Sequence, residues 1–407
     1  MGQRRSPARR LLHASALVIL TLSATFVASP AAAETARGTV LRATEGGISN
    51  SYIVVLKDTA TVREQGVAAT ARSLLARHSG SLDRAYQKAL LGFAATIDDA
   101  KAERLAADPR VAYVQQNRVH RASGTQTAPP SWGLDRIDQR TLPLNNSYTY
   151  PSTAGTVHAY IIDTGIRFSH QTFGGRAVSG RDTIDNDNNA SDCNGHGTHV
   201  AGTVGGSQYG VAKAVRLVGV RVLNCSGSGT TAQVVAGIDW VTANAIKPAV
   251  ANMSLGGGAD TALDQAVKNS IASGISYGIA AGNGILGLLP QDACTQSPAR
   301  VPEAITVSAT QRDDRKPGWA NTGTCVDIFA PGVDITSAWH TSDTATNTIS
   351  GTSMATPHVV GAAAMYLESN PTATPQQVRD YLVNRATTGV VIGAGSGSPN
   401  KLLYVGP

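Results

Sequence analysis

Between residues 156 and 309 the chain alternates short apolar, β-branched runs with stretches whose apolar residues recur every three or four positions. The runs at 156–163, 215–223, 249–255, 275–281 and 305–309 have the length and continuity of strands buried on both faces. Between them, Val234, Ile238 and Val241 fall on one helical face, as do Leu263, Val267 and Ile271. The alternation predicts an α/β fold with a doubly wound, mostly parallel sheet. Helices flanking such a sheet leave its strand ends open, and functional side chains gather beyond the carboxyl ends. Asp163 stands at one of these ends, closing the run His158-Ala159-Tyr160-Ile161-Ile162-Asp163.

Two further segments supply groups that could work with a carboxylate. Gly351-Thr352-Ser353-Met354-Ala355-Thr356-Pro357-His358 presents a serine where a glycine turn runs into a helix, with Pro357 expected inside the first helical turn. Spare N–H groups and the positive dipole end there favour an anion. Asn194-Gly195-His196-Gly197-Thr198-His199 puts a histidine between two glycines, where a substrate backbone could approach the imidazole. A serine nucleophile needs a base, and the base needs an orienting acid. Each residue also has a plainer use. Ser353 and Asp163 could cap helices, and Asn283 could sit in a turn. Asp163-Thr164-Gly165 also spells the aspartic-protease tripeptide, but no second copy follows. His196 and His199 could pair on a metal, although no glutamate stands between them as in the zincin helix.

The blocks IIDTGI, NGHGTHVAG and GTSMATPHVVG, in the order Asp, His, Ser, resemble the three active-site blocks of the subtilase family. WGLDRIDQR, VANMSLGGG, SPARVPEAITV and DIFAPG resemble its proteinase K branch, aqualysin-like enzymes in particular, and the likeness runs from about Ser131 to the end of the chain. The resemblance implies that Ser353 attacks a peptide carbonyl, His196 moves the proton, and Asp163 holds the imidazole. It gives Asn283, in Ile279-Ala280-Ala281-Gly282-Asn283, the role of oxyanion donor. It makes Ser254, Leu255, Gly256 and Gly257 one wall of the substrate pocket and Ala280, Ala281 and Gly282 the other. These walls carry no charge, so an apolar or aromatic side chain is expected before the cleaved bond. The peptide should add as a strand against 254–256, giving broad specificity.

The same resemblance implies structural Ca²⁺, held by the Pro302 and Ala304 carbonyls and the Asp327 carboxylate. A second set, Asp135, Asp138 and Gln139, resembles a site of some relatives, with Asn145 where an aspartate is expected. All four cysteines lie beyond residue 121, and an even number in a secreted chain favours disulfides. Three pairings are open by number alone. The resemblance implies Cys193 with Cys225 and Cys294 with Cys325. One departure from the family stands out: Gly284-Ile285-Leu286-Gly287-Leu288-Leu289-Pro290 is apolar and longer than the polar loop expected there; it could reshape the pocket rim or bind a partner, and packing inward is the favoured expectation.

The 407 residues exceed a single core, so a removable part is expected. Four arginines within residues 1–10, an apolar stretch over 11–27 and Ala31-Ala32-Ala33 read as a signal peptide, residues 1–33, too short and interrupted for a membrane span. Residues 34–121, with a core at 49–120, follow the order strand, helix, strand, strand, helix, strand of a ferredoxin-like α+β domain. Strands are expected at 52–56, 89–97 and 111–119 and helices at 62–77 and 99–107. This part resembles the family's propeptide, which templates folding and blocks the cleft as an intramolecular inhibitor. Residues 122–131 are expected as an exposed linker cut between 119 and 128, leaving a peptidase domain at 132–407. Thr374-Pro375-Gln376-Gln377 reads as a capping box opening a last helix to about Arg385.

The net charge of +6 invites a nucleic-acid reading until it is divided. Through Arg121 there are 17 Lys and Arg against 9 Asp and Glu, and afterwards 17 against 19. The basic excess lies wholly in the removable part, so no nucleic-acid partner and, after signal removal, no membrane partner is implied. A monomer acting on protein and peptide substrates is expected. The reading from another class is a non-catalytic binding or inhibitor protein on a protease scaffold.

Overall fold

The computed structural model describes residues 38–43, 47–118 and 124–406, so the expected signal peptide lies outside the described residues. The chain divides after Arg118 into two compact units.

The small unit has the expected order of elements plus one short strand, Val40–Leu41. Its sheet runs Val40–Leu41, Val111–Arg118, Gly47–Leu56, Gly92–Thr96, Ser81–Tyr86. The expected first helix is two, Ala60–Gln65 and Val67–His78, broken at Gly66 (φ 77°). Their apolar faces and that of Asp99–Ala106 close over Tyr52, Val54 and Phe93.

The large unit is built on a nine-stranded sheet. Its order is Thr387–Thr388, Lys401–Leu402, Ile328–Pro331, Ile305–Thr310, Ser276–Ala280, Ala249–Met253, His158–Asp163, Arg216–Arg221, Ala177–Asp182. Every pairing is parallel except that of Thr387–Thr388 with Lys401–Leu402. Cores on both faces make three layers. One core takes the helices His196–Gly205 and Thr352–Ser369; the other takes Thr231–Asn244 and Thr261–Ala272. Placing Ile161 toward one core and Ile162 toward the other explains why this strand is apolar throughout.

The first strand of the unit's main sheet, His158–Asp163, ends up inside it, third from one edge, with Arg216–Arg221 on one side and Ala249–Met253 on the other. The winding reverses there, which opens a crevice beyond its carboxyl end.

Two expectations about the chain path change. Within the expected linker, residues 124–127 are not free: Gly124–Thr127 pairs antiparallel with Ser147–Tyr150. The Lys213 ammonium donates to Gln126 Oε1 at 2.6 Å and lies over the rings of Tyr148 and Tyr150, fixing this strand. Backbone pairing outweighed the polar, proline-containing composition. Pro357 lies inside helix Thr352–Ser369, beyond its first turn. The capping box is as expected, with Gln377 N–H donating to Thr374 Oγ1 and Thr374 N–H to Gln377 Oε1, at the head of Pro375–Arg385.

Candidate active site

Asp163 arrives at the crevice because the sheet ends there, and its carboxylate is fully buried. Its Oδ1 accepts the Thr164 N–H at 2.7 Å and His196 Nδ1 at 2.8 Å. A carboxylate on Nδ1 fixes that nitrogen as the donor, which leaves Nε2 as the basic atom on the cleft side. His196 opens its helix, after Gly195 at φ 114°; a Cβ on Gly195 would stand 2.5 Å from Trp339. Only glycine fits that turn.

Asp192 ties the start of this helix. Its Oδ1 accepts the N–H groups of Asn194 and Gly195 at 2.9 Å, and its Oδ2 accepts the Thr198 N–H at 3.0 Å. Thr164 Oγ1 donates to Asp192 Oδ1 at 2.9 Å and accepts the Gly197 N–H at 2.9 Å, joining the Asp163 strand to the His196 helix. Burial opposes a charge on His196, but the Asp163 carboxylate, with Asp192 behind it, outweighs that and raises the imidazole above its usual value. His199 is a core residue. It bonds the Ile335 carbonyl through Nε2 at 2.9 Å, and burial pushes it down to about 3. His358 is likewise neutral, pushed down to about 4 by burial.

Ser353 follows the helix start at Thr352. Proline at 357 has no N–H for the carbonyl one turn back, which is that of Ser353. Ser254 Oγ takes its place, donating to Ser353 O at 2.8 Å while accepting from Asn252 Nδ2 at 2.9 Å. The Ser353 hydroxyl donates to the Ser254 carbonyl at 3.0 Å. Asn283 stands opposite. Its Oδ1 accepts both the Thr352 N–H and the Thr352 hydroxyl at 2.9 Å, which fixes the flip of the amide and leaves Nδ2 as its donating end.

A cleft of about 310 Å³ beside Ser353 and Asn283 is lined by all the residues expected as pocket walls: Ser254, Leu255, Gly256, Gly257, Ala280, Ala281 and Gly282. None of its lining residues is charged. A second cleft of about 810 Å³ carries His196 and shares Ser254 to Gly257 with the first. Gln291, Gln296, Ala299 and Asn321 also line the smaller cleft and were not legible as site residues. They come from later loops, and only Asn321, buried and bonded to the Ala281 carbonyl, shows a fixed role.

The expected inward packing of 284–290 is wrong. Ile285, Leu286, Leu288 and Leu289 are 52, 90, 72 and 66 % exposed. The segment bonds back on itself, with Ile285 N–H donating to Leu289 O at 2.9 Å, and this turn leaves its side chains exposed.

The cysteines pair as Cys193–Cys225 and Cys294–Cys325. The calcium sets separate. Asp327 Oδ2 accepts the Thr306 N–H at 2.8 Å, and its Oδ1 accepts Arg379 Nη2 at 2.5 Å. A guanidinium already neutralises this carboxylate, so Pro302, Ala304 and Asp327 do not fit a cation here. Asp138 Oδ1 and Gln139 Oε1, by contrast, are buried oxygens without a hydrogen-bond donor, as a hard cation requires. Asp135 belongs to the same corner but spends its oxygens on the N–H groups of Asn145 and Asn146, at 3.1 and 2.7 Å.

A serine at a helix start, an imidazole held by a buried carboxylate and an oriented amide, all beyond the strand ends of a parallel sheet, define a hydrolase working through a serine oxygen. Residues 155–402 match the model of the subtilase family, and residues 51–123 match that of peptidase inhibitor I9. The chain is 54 % identical over 373 residues to an extracellular serine proteinase of Thermus sp. (strain Rt41A), covering 88 % of this chain and 90 % of that one. It is 49 % identical over 368 residues to alkaline serine exoprotease A of Vibrio alginolyticus, covering 88 % and 67 %. A crystal structure of a cold adapted subtilisin-like serine proteinase matches at 57 % identity and a TM-score of 0.65, over 67 % of this chain and 97 % of that one. The chain belongs to the subtilase family and is a subtilisin-like serine proteinase preceded by an I9 inhibitor domain.

Proposed function

We propose that the protein is a secreted endopeptidase of broad specificity, working through Asp163, His196 and Ser353 and made as a self-processed precursor. The observation that carries this reading is the 2.8 Å bond from His196 Nδ1 to buried Asp163, in a cleft that meets the cleft of Ser353 and the oriented Asn283 along Ser254 to Gly257. For attack, the Ser353 hydroxyl leaves the Ser254 carbonyl and turns to His196 Nε2. The oxygen then bonds the peptide carbonyl carbon as Nε2 takes its proton. Asn283 Nδ2 and the Ser353 N–H receive the negative oxygen. The imidazolium, steadied by Asp163, returns the proton to the leaving amine, and water repeats the sequence to free the acid.

The uncharged walls support entry of an apolar or aromatic side chain before the cleaved bond, with the peptide lying along Ser254 to Gly256. A processing cut within 119–123, inside the expected interval, would keep the paired strand Gly124–Thr127 with the enzyme. The name of the Thermus relative and the signal-like first 33 residues support secretion, and among the described residues no helix is long and apolar enough to cross a membrane. Members of this family commonly carry structural calcium. Asp138 and Gln139 would hold it here, where it would bind surface segments together and take no part in the reaction.

The test is a fluorophosphonate probe on processed protein. Wild type should be labelled at Ser353, and Ser353→Ala, cut in trans by immobilised wild type, should lose label and about 10⁶-fold in kcat, the magnitude known for the subtilisin relative. Equal peptide hydrolysis by Ser353→Ala, or an unlabelled yet active wild type, would refute the mechanism.

A further inference from the structure

The chain from Gly284 to Gln291 leaves the wall of the smaller cleft and returns to it, since both residues line that cleft with Asn283 and Ser353. Its return is rigid. Gln291 N–H donates to Asn321 Oδ1 at 2.8 Å, Asn321 Nδ2 donates to the Ala281 carbonyl at 2.8 Å, and Thr322 N–H donates to Gln291 O at 3.0 Å. The excursion closes on itself, with Ile285 N–H donating to Leu289 O at 2.9 Å and Leu288 N–H to Ile285 O at 3.0 Å. A turn of this kind holds its side chains out at the cleft rim.

Those side chains are Ile285, Leu286, Leu288 and Leu289, four of the eleven exposed large hydrophobic residues among those described, gathered within five positions. In the large unit the others, Leu142, Val178, Ile246 and Ile392, stand singly in the sequence. Single exposed apolar residues are ordinary, whereas a cluster marks a contact surface. Leu286 also holds φ 53°, a conformation that asparagine or glycine adopts more readily than leucine. Leucine at that position is therefore not explained by the turn.

We propose that Ile285 to Leu289 form an apolar lip that extends the substrate-binding surface and selects peptide segments rich in apolar residues around the cleaved bond. This rests on the endopeptidase reading above. The occupant is the substrate chain because the lip is continuous with the smaller cleft that takes it, and neither the lip nor the lining of that smaller cleft carries a charge that would call for another ligand. The lip gives the enzyme a preference for exposed hydrophobic stretches of unfolded protein without altering the reacting groups. Ile285 to Leu289 are specificity residues, acting on binding.

The experiment uses two fluorescence-quenched peptides with the same four central residues, one flanked on both sides by leucines and one by serines, on enzyme processed from the full precursor. The variant is Leu286→Asn with Leu288→Ser. Both side chains are exposed, and asparagine suits the backbone at 286, so the melting temperature should hold. Wild type should favour the leucine-flanked peptide, and the variant should lose about 5- to 10-fold of that preference, as expected for uncovering part of two leucines, with the change in KM. Its kcat/KM on the serine-flanked peptide should fall by much less than on the leucine-flanked one. A variant that keeps the full preference overturns the lip. So does sedimentation showing wild type as a dimer that the variant cannot form, which would make the cluster a contact between two copies. If wild type cuts neither peptide and takes no fluorophosphonate, the endopeptidase reading itself fails.

Discussion

Two stretches that reach the cleft are each followed or preceded by a disulfide, yet they are built on opposite plans. On one, Cys193 precedes His196 closely, and the intervening residues are locked to Asp192. On the other, Cys294 follows Asn283 at a distance, and the intervening chain swings out as four exposed apolar side chains. The difference teaches how a fold divides its work. Proton transfer tolerates little displacement of the imidazole, so every donor near it is committed. Recognition of a variable polymer gains from surface, and needs fixed stems more than a fixed tip.

The sharpest way to break this contrast is to attack the one chemical group on the apolar side. Asn283→Ala removes the amide aimed from that wall while leaving the Thr352 contacts to rearrange. Turnover should fall about 100- to 1000-fold with little change in KM, the magnitude seen for the equivalent loss in the subtilisin relative. Steady-state kinetics on a peptide amide measure it. A rise in KM at constant kcat would mean that Asn283 binds substrate and does not act on developing charge.

On the locked side, Asp192→Asn keeps the shape and removes a charge. The Asn194, Gly195 and Thr198 N–H groups lose a charged acceptor, and His196 loses one of the two carboxylates that raise it. A base raised above its ordinary value goes out of action as pH falls through that value. With Asp192 neutral the value drops, so the acid limb of the kcat/KM profile should move to lower pH. Misplacement of the helix start should cost on the order of 10-fold at the optimum. An acid limb that stays put would show that Asp163 alone sets the imidazole.

The locked side was largely legible in the sequence, and the reason is physical. Asp163 ends a strand that had to be apolar because both its faces are covered, and His196 sits between glycines that no other residue could replace at Gly195. The apolar side was legible only at Asn283, in a motif. Where residues 284–290 would go depended on a turn closed by backbone bonds between Ile285 and Leu289, which side-chain hydrophobicity does not reveal. The strand Ala177–Asp182 escaped notice for a related reason: at the sheet edge only its end residues, Ala177 and Asp182, are buried, and it includes Gly180, Arg181 and Asp182. The pairing of Asp327 with Arg379 was not legible either, because the arginine lies 52 residues away in sequence. Pro357 was assigned to the first helical turn by a rule about missing N–H groups. The structure keeps that rule's chemistry and satisfies the freed carbonyl from another strand end.

That last exchange gives the smallest expected effect and the most exact test of how the two strand ends are joined. Ser254 Oγ donates to the Ser353 carbonyl only because residue 357 has no N–H to give. Ser254→Ala should therefore leave a poorly satisfied carbonyl under the nucleophile, costing about 1 to 3 kcal/mol and several degrees of melting temperature. Pro357→Ala restores a helical donor to the same oxygen. If the hydroxyl stands in for that donor, Ser254→Ala should cost less in the Pro357→Ala background than alone, since the two changes address one acceptor. Thermal melting of the four proteins reads the coupling, with Ser353→Ala added throughout to prevent self-digestion. Strict additivity would mean that the Ser254 hydroxyl acts through Asn252, its other partner, and that the helix tolerates an unpaired carbonyl beneath Ser353.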